Sequence, residues 1–454
     1  FKLARVIPVF KKGSRTCSSN YRPISLLSIF NRLLEKLMYK RLINYIEKEN
    51  ILYEGQFGFR SNHSTVQAGI LIIDKIQKAI ENGLYSCGIF LDLSKAFDTV
   101  NHEILIKKLE HYGIRGVAKN WFVSYLNCRR QFVSIGSTKS HEHSIPCGVP
   151  QGSVLGPLLF LLYVNDLPRV TSVFDFHLFA DDTNLFYANK DLLELESIIN
   201  INLPKINTWL ACNKLSLNID KTNFVIFHTP QKRIRHKVNL FINQKIISQA
   251  TNVSYLGIHI DSNLNWKSQV AHVAKKIKRG IGVLCKIRHF VTTQVIIQLY
   301  YSLIYPHLTY GLPVWGNTYA STLNPLVILQ KRVVRIITFS KYDEHSSPLF
   351  KLLDILKITD LRFLHNALLM HDFHYRMLPP PFDNFFKQVK NVHNYNTRLA
   401  SRNTCYLYQP RTNYGKFSLR FQGPKTWNLI EDDLKKMRKS SFKKAIKSNI
   451  VNAY

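Results

Sequence analysis

Acidic residues are scarce in this sequence, and one long part of it has none. The 454 residues include 29 Asp and Glu against 62 Lys and Arg, so the formal net charge is +33. Between Ser262 and Tyr342 there is no Asp or Glu at all. So large a positive excess favours binding to a polyanion, of which nucleic acid is the commonest case and an anionic membrane the rival.

Other missing features narrow the class of protein. No uninterrupted apolar run reaches the roughly 18 residues that a membrane-spanning helix needs. The longest candidate, Val154 to Val164, contains Gly156 and Pro157, so we predict no membrane partner. The seven cysteines include no Cys-x-x-Cys pair. That pattern argues against a disulfide framework and a zinc knuckle, and it favours a reducing intracellular compartment.

Several familiar enzyme signatures are also lacking. The sequence has no G-x-x-x-x-G-K-[ST] loop of the kind that cradles phosphates. Only one cysteine accompanies a group of neighbouring histidines, which does not favour a zinc site; the residues are His365, His371, His374, His393 and Cys405. The chain begins at Phe1, inside an apolar run and without a signal-peptide pattern. We therefore expect a fragment that lacks part of its N-terminal side.

The length and the hydrophobic periodicity predict a multidomain α+β protein. A chain of 454 residues exceeds what one hydrophobic core usually holds, so we expect two or three domains. Up to Asp261, short apolar strands mix with amphipathic helices. We predict a strand from Ser86 to Leu91, a helix from His102 to Tyr112 capped by Asn101, and a helix from Ile29 to Glu47. The apolar face of the last helix carries Leu33, Leu34, Leu37, Met38 and Leu42.

Three aspartates are predicted to meet where two strands end. Asp92 follows the apolar run from Ser86 to Leu91, and Phe176 to Tyr187 reads as a hairpin with Asp181 and Asp182 at its turn. If the strands are neighbours, the three carboxylates converge and repel one another unless a cation is present. Two Mg²⁺ ions roughly 3.5–4 Å apart would suit such a cluster. The alternative is ordinary turn chemistry, because Asp is a favoured turn residue.

The segment without acids is predicted to be helical and basic. Lys275 lies three residues before Lys278 and four before Arg279, which places them on one helix face. The basic residues of the segment include Lys267, Lys275, Lys276, Lys278, Arg279, Lys286, Arg288, Lys331, Arg332 and Arg335. A merely solvated face is the alternative to a nucleic-acid surface.

Six motifs occur in an order that resembles the reverse transcriptase family. The longest of them, GVPQGSVLGPLLFLLYVND, resembles the enzymes of non-LTR retrotransposons, the jockey-like clades in particular, rather than mobile-intron or telomerase enzymes. In chain order the motifs are Tyr21 to Ser25, Gln56 to Arg60, Phe90 to Asp98, Gly148 to Asp166, Phe179 to Asp182 and Val253 to Gly257.

The resemblance implies a fold, a reaction and a set of partners. The fold is a right-hand polymerase with an antiparallel palm sheet of four strands, helical fingers, a helical thumb and a mostly helical C-terminal region. Residues 1–261 would form the fingers and palm, 262–342 the basic thumb, and 343–454 a region of unknown role. The enzyme would extend a DNA primer on an RNA template with deoxynucleoside triphosphates. Asp92, Asp181 and Asp182 would hold two Mg²⁺ ions, or Mn²⁺ in their place.

The same resemblance implies residues that select and position the nucleotide. Phe97, five residues after Asp92, matches the aromatic residue that packs under the incoming sugar and excludes a 2′-hydroxyl. Gln151 and Gly152 match the segment along template and nucleotide, and Gly152 lets a backbone approach closely. The alternatives are a core aromatic and a simple turn before a buried helix.

Basic residues are assigned to the triphosphate in the same way. Arg22, Lys11 and Lys12 match the fingers residues that hold it, with Arg22 ranked first because Arg can grip phosphate bidentately. Lys221 matches the lysine that protonates the leaving pyrophosphate. Solvated surface lysines are the alternative reading of each lysine.

The last implied sites concern the primer and the duplex. Tyr255, Leu256 and Gly257 match the primer grip, for which an ordinary buried strand is the alternative. Lys275, Lys276, Lys278 and Arg279 would contact phosphates of the template–primer. The rival function is a catalytically silent, truncated remnant that binds nucleic acid. The resemblance implies work in the nucleus and cytoplasm, and the sequence leaves the oligomeric state open.

Overall fold

The structure is a computed structural model, and it describes residues 2–232, 234, 236–389, 392 and 404–454. His393, one of the histidines considered above for zinc, lies outside the described residues. Helices and strands mix throughout the first part of the chain, while helices dominate after Asp261. The predicted α+β class is confirmed.

The strands of the described chain fall mainly into two larger sheets. They are β1 (Leu3–Phe10), β2 (Tyr21–Leu26), β3 (Tyr85–Leu91), β4 (Leu93–Ser94), β5 (Arg130–Ile135), β6 (Thr138–Lys139), β7 (His143–Ser144), β8 (Asp175–Phe179), β9 (Asp182–Asn189), β10 (Ser216–Leu217), β11 (Asn223–Phe227), β12 (Phe241–Ile242), β13 (Lys245–Ile246), β14 (Ser248–Gln249), β15 (Asn252–Tyr255) and β16 (Ile258–Asp261).

The helices of the described chain are α1 (Ile29–Lys48), α2 (Thr65–Glu81), α3 (His102–His111), α4 (Gly116–Leu126), α5 (Gly156–Val164), α6 (Leu192–Cys212), α7 (Lys267–Ile287), α8 (Thr293–Leu303), α9 (Tyr305–Thr309), α10 (Leu312–Trp315), α11 (Ala320–Thr338), α12 (Ser346–Leu352), α13 (Ile358–His374), α14 (Asn413–Phe417), α15 (Leu419–Asn428), α16 (Asp432–Lys435) and α17 (Lys439–Asn452). Short 3-10 turns cover Ser18–Asn20, Ala96–Asp98, Leu167–Arg169 and Pro380–Phe382.

The central sheet carries the strands that were expected to hold the aspartates. Its strand order is β14-β11-β3-β9-β8. The pairs β11–β3, β3–β9 and β9–β8 are antiparallel, whereas β14 joins β11 in parallel. The four antiparallel strands agree with the implied palm, and the short parallel strand is an addition at its edge. We call this the palm sheet. A second sheet, with β2-β1-β5-β6 as its main path, lies nearer the chain start.

Alternating side chains place the palm sheet between two hydrophobic cores. On β3, Cys87, Ile89 and Leu91 enter the core that α3, α5 and α6 share. On β11, Val225 and Phe227 point to the opposite core, which α2, α7 and α11 share. Successive residues of a strand face opposite sides of a sheet, so each strand serves both cores. The sheet that ends in the aspartates is therefore fixed from both faces.

Two predicted elements are confirmed almost to the residue. The strand predicted from Ser86 runs over Tyr85–Leu91. The helix predicted after Asn101 covers His102–His111, and the Asn101 side chain accepts a hydrogen bond of 3.0 Å from the backbone N–H of Ile104. This is the expected N-terminal cap.

The apolar face predicted for the first long helix is only partly buried. The helix itself spans Ile29–Lys48, and Leu42 is 5% exposed within a core. Leu33, Leu34 and Leu37, however, are 55%, 46% and 55% exposed. Periodicity gives the helix and the shared face, but burial depends on what the rest of the fold places against that face.

The helices after Asp261 share one core with α2. Buried residues of α7, α11, α13 and the last helix, Lys439–Asn452, belong to the same hydrophobic cluster as Ile73 and Ile76 of α2. The proposed borders at 261/262 and 342/343 therefore do not coincide with separate cores. Across the described residues, no helix combines the length and the apolar character that crossing a bilayer would require.

Candidate active site

The three predicted aspartates lie at one end of the palm sheet. Asp92 directly follows β3, and the β8–β9 hairpin pairs Phe179 with Asp182, so Asp181 lies in its turn. Leu91 pairs with Thr183 across β3 and β9. Asp182 precedes Thr183 on β9, and Asp92 follows Leu91 of β3. The antiparallel pairing therefore places Asp92 and Asp182 side by side.

A glutamine that we did not single out supports the hairpin turn. The Gln56 side chain is 1% exposed, and its carbonyl oxygen accepts hydrogen bonds from the backbone N–H of Ala180 at 3.0 Å and of Gly58 at 2.9 Å. Ala180 has φ of 55°, a conformation that costs energy for a residue with a side chain. A Cβ on Gly58 would lie 2.4 Å from the Ala180 nitrogen. The Gln56 to Arg60 motif therefore positions the aspartates, and only its resemblance could have indicated this.

The carboxylates influence one another electrostatically. Partial desolvation, followed by the negative charges of Asp181 and Asp92, raises the pKa of Asp182 to about 6. The pKa of Asp181 is also raised, first by desolvation and then by Asp92. Arg22 and Lys11 act in the opposite direction on Asp181. Arg22 and Lys11 thus lie close enough to Asp181 for their charges to lower its pKa.

The donor chemistry at this sheet end fits a divalent cation. Mg²⁺ prefers oxygen ligands and takes few protein carboxylates, and Asp181 and Asp182 supply such oxygens where desolvation, and then neighbouring carboxylates, raise their pKa values. In the described part of the chain, no three His, Cys, Asp or Glu side chains are already gathered into a metal-binding set. The Asp92 carboxylate lies 3.6 Å from the Lys221 ammonium. The acids therefore influence one another electrostatically, but their side chains are not arranged as a complete set of metal ligands.

Lys221 is the basic group that contacts the cluster most directly. Both partners are accessible, with side chains 62% and 43% exposed. The turn that carries Lys221 is held to the palm because the Asn218 N–H donates to the Asp92 carbonyl at 2.8 Å and the Asp92 N–H donates to Thr222 Oγ1 at 3.3 Å. An ion pair so exposed contributes little to stability, which leaves Lys221 free to exchange partners.

Phe97 lies on an aromatic floor beside the aspartates. Its ring stacks on the buried ring of Phe160, with centroids 4.5 Å apart and planes at 29°, and it meets the edge of Phe59 at 6.3 Å. The Phe97 carbonyl accepts a hydrogen bond of 2.8 Å from the N–H of Val149. Backbone and ring are thus fixed from different sides, and one part of the half-buried side chain remains accessible.

The loop with Gln151 and Gly152 connects the palm to the second sheet. The Gln151 amide donates to Asp98 Oδ1 at 3.0 Å, and the Gln151 carbonyl accepts from the Ser25 N–H at 2.7 Å. Gly152 has φ of 120°, and a Cβ there would lie 2.6 Å from the Ser25 carbonyl oxygen. Glycine is required at this position because a side chain would collide with Ser25. The backbone of Gly152, which we expected to lie close to a substrate, lies close to β2 instead.

A comparison with protein families identifies the chain that carries this geometry. Residues 9–260 match the family described as reverse transcriptase (RNA-dependent DNA polymerase), which is more than half of the 454 residues. The chain belongs to the reverse transcriptase family. The resemblance inferred from the six motifs is thereby confirmed.

Relatives of this reverse transcriptase come from insect mobile elements. It is 29% identical over 371 residues to a probable RNA-directed DNA polymerase from the transposon X-element of Drosophila melanogaster, covering 79% of this chain and 40% of the relative. It is 29% identical over 374 residues to the RNA-directed DNA polymerase from the mobile element jockey of the same species, again covering 79% and 40%. The chain thus spans about two fifths of the length of these relatives.

Solved structures of similar shape include fungal telomerases. The apo telomerase of Candida tropicalis matches with a TM-score of 0.44 and 12% identity, covering 84% of this chain and 64% of the other. The telomerase of Candida albicans, solved with a fragment of telomeric RNA, matches with a TM-score of 0.39 and 12% identity, covering 79% and 65%.

The motif that was matched to the primer grip forms a turn between β15 and β16 of the reverse transcriptase, at Leu256 and Gly257, which we call the grip turn. Tyr255 is 3% exposed, so its ring faces the protein interior, whereas Leu256 and Gly257 form the turn with φ of 46° and 80°. The Tyr310 hydroxyl donates to the Leu256 carbonyl at 2.6 Å, and its oxygen lies within hydrogen-bond distance of Thr65 Oγ1 of α2, at 3.1 Å. The backbone of the turn, rather than the Tyr255 ring, is therefore what a substrate could reach.

The basic residues predicted on one helix face do share that face. Helix α7 buries Val270, Val273 and Ile277 in the core, while its opposite side carries exposed side chains. These are Lys275, Lys276, Lys278 and Arg279. Lys11, Lys12 and Arg22 are exposed as well, on the hairpin of β1 and β2. Of these three, Arg22 and Lys11 influence Asp181.

Proposed function

We propose that this reverse transcriptase extends a DNA primer on an RNA template with deoxynucleoside triphosphates, as the polymerase of a non-LTR retrotransposon. The observation that carries the proposal is the placement of Asp92 next to Asp182 by the pairing of β3 with β9. Arg22 and Lys11 lie near enough to Asp181 for their charges to act on it. Acids with cations close by suit a triphosphate that arrives with metal ions.

The aspartates would be the protein ligands of two Mg²⁺ ions, with Mn²⁺ as a substitute. Reverse transcriptases use divalent metal ions, which stabilise the attacking and leaving oxygens of phosphoryl transfer. Asp92 and Asp181 would serve as the main ligands and Asp182 as the third acid. The rigid sheet beneath them keeps their spacing constant during the reaction.

Basic residues of the fingers would hold the triphosphate. The planar guanidinium of Arg22 can donate two parallel hydrogen bonds to phosphate oxygens, while Lys11 and Lys12 act as point charges. Lys221 would leave Asp92 when the nucleotide binds and would give a proton to the departing pyrophosphate. Its exposure and its present contact with Asp92 support both steps.

The remaining assigned residues would select and align the substrates. The accessible part of the Phe97 ring would pack under the deoxyribose, where a 2′-hydroxyl finds no room. Gln151 and Gly152 would line the path of template and nucleotide, and the turn of Leu256 and Gly257, with Tyr255 anchored behind it, would aim the primer end. The exposed face of α7 would follow the phosphates of the duplex.

This assignment divides the chain as the resemblance implied. Residues 1–261 would act as fingers and palm, 262–342 as thumb, and 343–454 as a region that supports them. We place the activity inside the cell, in the nucleus and cytoplasm, because a retrotransposon must copy its RNA where chromosomal DNA can be reached.

Primer extension tests the proposal directly. The protein is incubated with poly-A RNA, oligo-dT, dTTP and Mg²⁺, and the products are separated by length. The variant Asp181→Ala/Asp182→Ala should abolish extension. Asp433→Ala is the matched control, because that carboxylate is 92% exposed and pairs with Lys436 on the surface, so activity should remain.

Two results would contradict the proposal. Extension that persists in the double variant would show that these acids do not perform the chemistry. Salt-sensitive binding of the hybrid without any extension by the unaltered chain would instead select the catalytically silent, nucleic-acid-binding remnant.

A further inference from the structure

Two histidine rings are in contact beside the grip turn, and a third histidine lies near enough for its charge to act on one of them. His259 lies on β16, His272 on α7 and His307 on α9, and all three are half-buried. The rings of His259 and His272 lie 4.4 Å apart between centroids, with their planes at 52°. His259 is the second residue after Gly257, so the group borders the turn directly. We call these three residues the histidine notch.

The surroundings of the histidine notch are positive. Desolvation lowers the pKa of His272, and the charges of His259, Lys276, His307 and Lys275 lower it further. The pKa of His307 is lowered first by desolvation and then by Lys276. Among the described residues, no acid contributes to either shift. The segment that supplies His272 and His307 has no acid anywhere between positions 262 and 342.

Two ordinary explanations of such histidines do not fit the notch. A histidine that only packs in a core normally has its ring nitrogens hydrogen-bonded, but within the described chain no protein group bonds the ring nitrogens of His259, His272 or His307. A metal cation bound here would be repelled by the neighbouring lysines, and no metal-binding set is found among the described residues. Ring nitrogens that face solvent among positive charges are suited to an anion.

We propose that the histidine notch binds a backbone phosphate of the nucleic-acid strand that ends at the grip turn, and that the histidines take up protons as the phosphate binds. The inference rests on the proposed function, because that function brings a strand to this turn. His272, Lys275, Lys276 and Arg279 share one face of α7 at helical spacing. The notch therefore continues the basic face of α7 up to the palm.

Proton uptake follows from the crowding of positive groups. Without an anion, desolvation and the nearby positive charges oppose the protonation of His272 and His307. A phosphate among them supplies the missing negative charge and favours the protonated rings. Each proton taken up on binding strengthens the affinity by up to about tenfold for every pH unit that is lowered. We expect the hybrid to bind about tenfold more tightly at pH 6 than at pH 8.

Fluorescence anisotropy with a labelled RNA–DNA hybrid measures this dependence. The full chain is titrated at pH 6, 7 and 8 at constant ionic strength, without nucleotide or Mg²⁺. The variant His272→Gln/His307→Gln should lose most of the pH dependence, whereas His141→Gln, which alters an exposed histidine on a distant loop, should retain it. His272→Lys should bind at pH 8 with an affinity closer to that of the unaltered protein at pH 6, because its charge is permanent.

The outcomes separate this inference from the proposed function. Equal pH dependence in the unaltered chain and in His272→Gln/His307→Gln would overturn the inference, even if the protein extends primers. Proton-linked binding of dTTP alone, without a hybrid, would overturn the assignment to a strand phosphate. A normal pH dependence in a chain that extends no primer would contradict only the proposed polymerase function. Thermal unfolding of each variant confirms that the fold is retained before its binding is compared.

Discussion

Removing the ring of Phe97 should relax the choice between deoxyribose and ribose. In Phe97→Ala the side chain that stacks on Phe160 at 4.5 Å is replaced by a methyl group, and the space beneath the sugar opens. In the unaltered protein the ring is held by its stack on Phe160 and by its T-shaped contact with Phe59. The proposed exclusion of a 2′-hydroxyl therefore depends on a packed surface.

The expected loss of discrimination in Phe97→Ala can be estimated from how strongly a pocket of fixed shape rejects one small group. Rejection of one small group by pocket shape is worth about 1–3 kcal/mol, or roughly 10- to 200-fold in kcat/KM. The alanine variant should lose most of that factor. A fully buried Phe→Ala change costs about 3–5 kcal/mol of stability. Phe97 is half-buried, so roughly 2 kcal/mol is expected, and the variant should remain folded.

Steady-state kinetics with dATP and ATP on a poly-U template measure the discrimination. The ratio of the two kcat/KM values is compared between the unaltered enzyme, Phe97→Ala and Phe59→Ala. Phe59 is 52% exposed and meets the Phe97 ring only in a T-shaped contact with centroids 6.3 Å apart, so its removal should change the ratio much less. A variant Phe97→Ala that still incorporates dATP and rejects ATP as strongly as before would refute the reasoning.

Further predictions concern stability, positioning and pH. Arg420→Met removes a two-pronged salt bridge to Asp74, whose side chain is 8% exposed. Because Lys78 still pairs with Asp74 at 3.0 Å, the free energy of unfolding should fall by about 2 kcal/mol, measured by denaturant titration; a change below about 0.5 kcal/mol would contradict the role. Tyr310→Phe removes the hydroxyl that holds the grip turn and should slow extension about 2- to 10-fold with an unchanged circular dichroism spectrum; undiminished extension would count against it. Burial lowers the pKa of His177 to about 4, below the usual value near 6.5 for an unfolded chain. The unfolded state therefore binds more protons between these pH values, so this contribution to stability is full above pH 6.5 and is lost as the pH falls towards 4. His177→Gln should flatten the decline seen in denaturant titrations over this range, and an identical decline in the variant would exclude His177 as its cause.

Local patterns in the sequence predicted the elements that carry the site. The apolar run before Asp92, the alternating hairpin around Asp181 and the Asn101 cap depend on neighbours within a few residues. Each pattern expresses a short-range rule of strand or helix formation, and the structure confirms them. The convergence of the aspartates required one assumption, that the two strands are neighbours, and the pairing of β3 with β9 supplies it.

Such local patterns did not predict the packing between residues far apart in the sequence. Gln56 is 124 residues from Ala180, yet it supports the turn that presents Asp181. Nothing in the sequence near Leu33 shows that its helix face stays uncovered. The Tyr255 hydroxyl is buried without a hydrogen-bond partner in the described chain, although the motif alone made it a plausible contact for the primer. Burial is a property of the assembled fold, and a short motif does not contain it.

The C-terminal region shows why the proposed domains cannot be understood separately. Helix α2 lies against one face of the palm sheet, and its Asp74 is bound by Arg420 of the helix Leu419–Asn428, while its Glu81 accepts a hydrogen bond of 3.1 Å from the N–H of Thr412. The guanidinium of Arg420 also lies 4.0 Å over the ring of Phe385. Arg420 and Thr412 thus join the last part of the chain to the helix behind the palm sheet. Because interiors are close-packed and transmit strain, we expect the position of the palm sheet to depend on Arg420, which lies 346 positions after its partner Asp74 in the sequence.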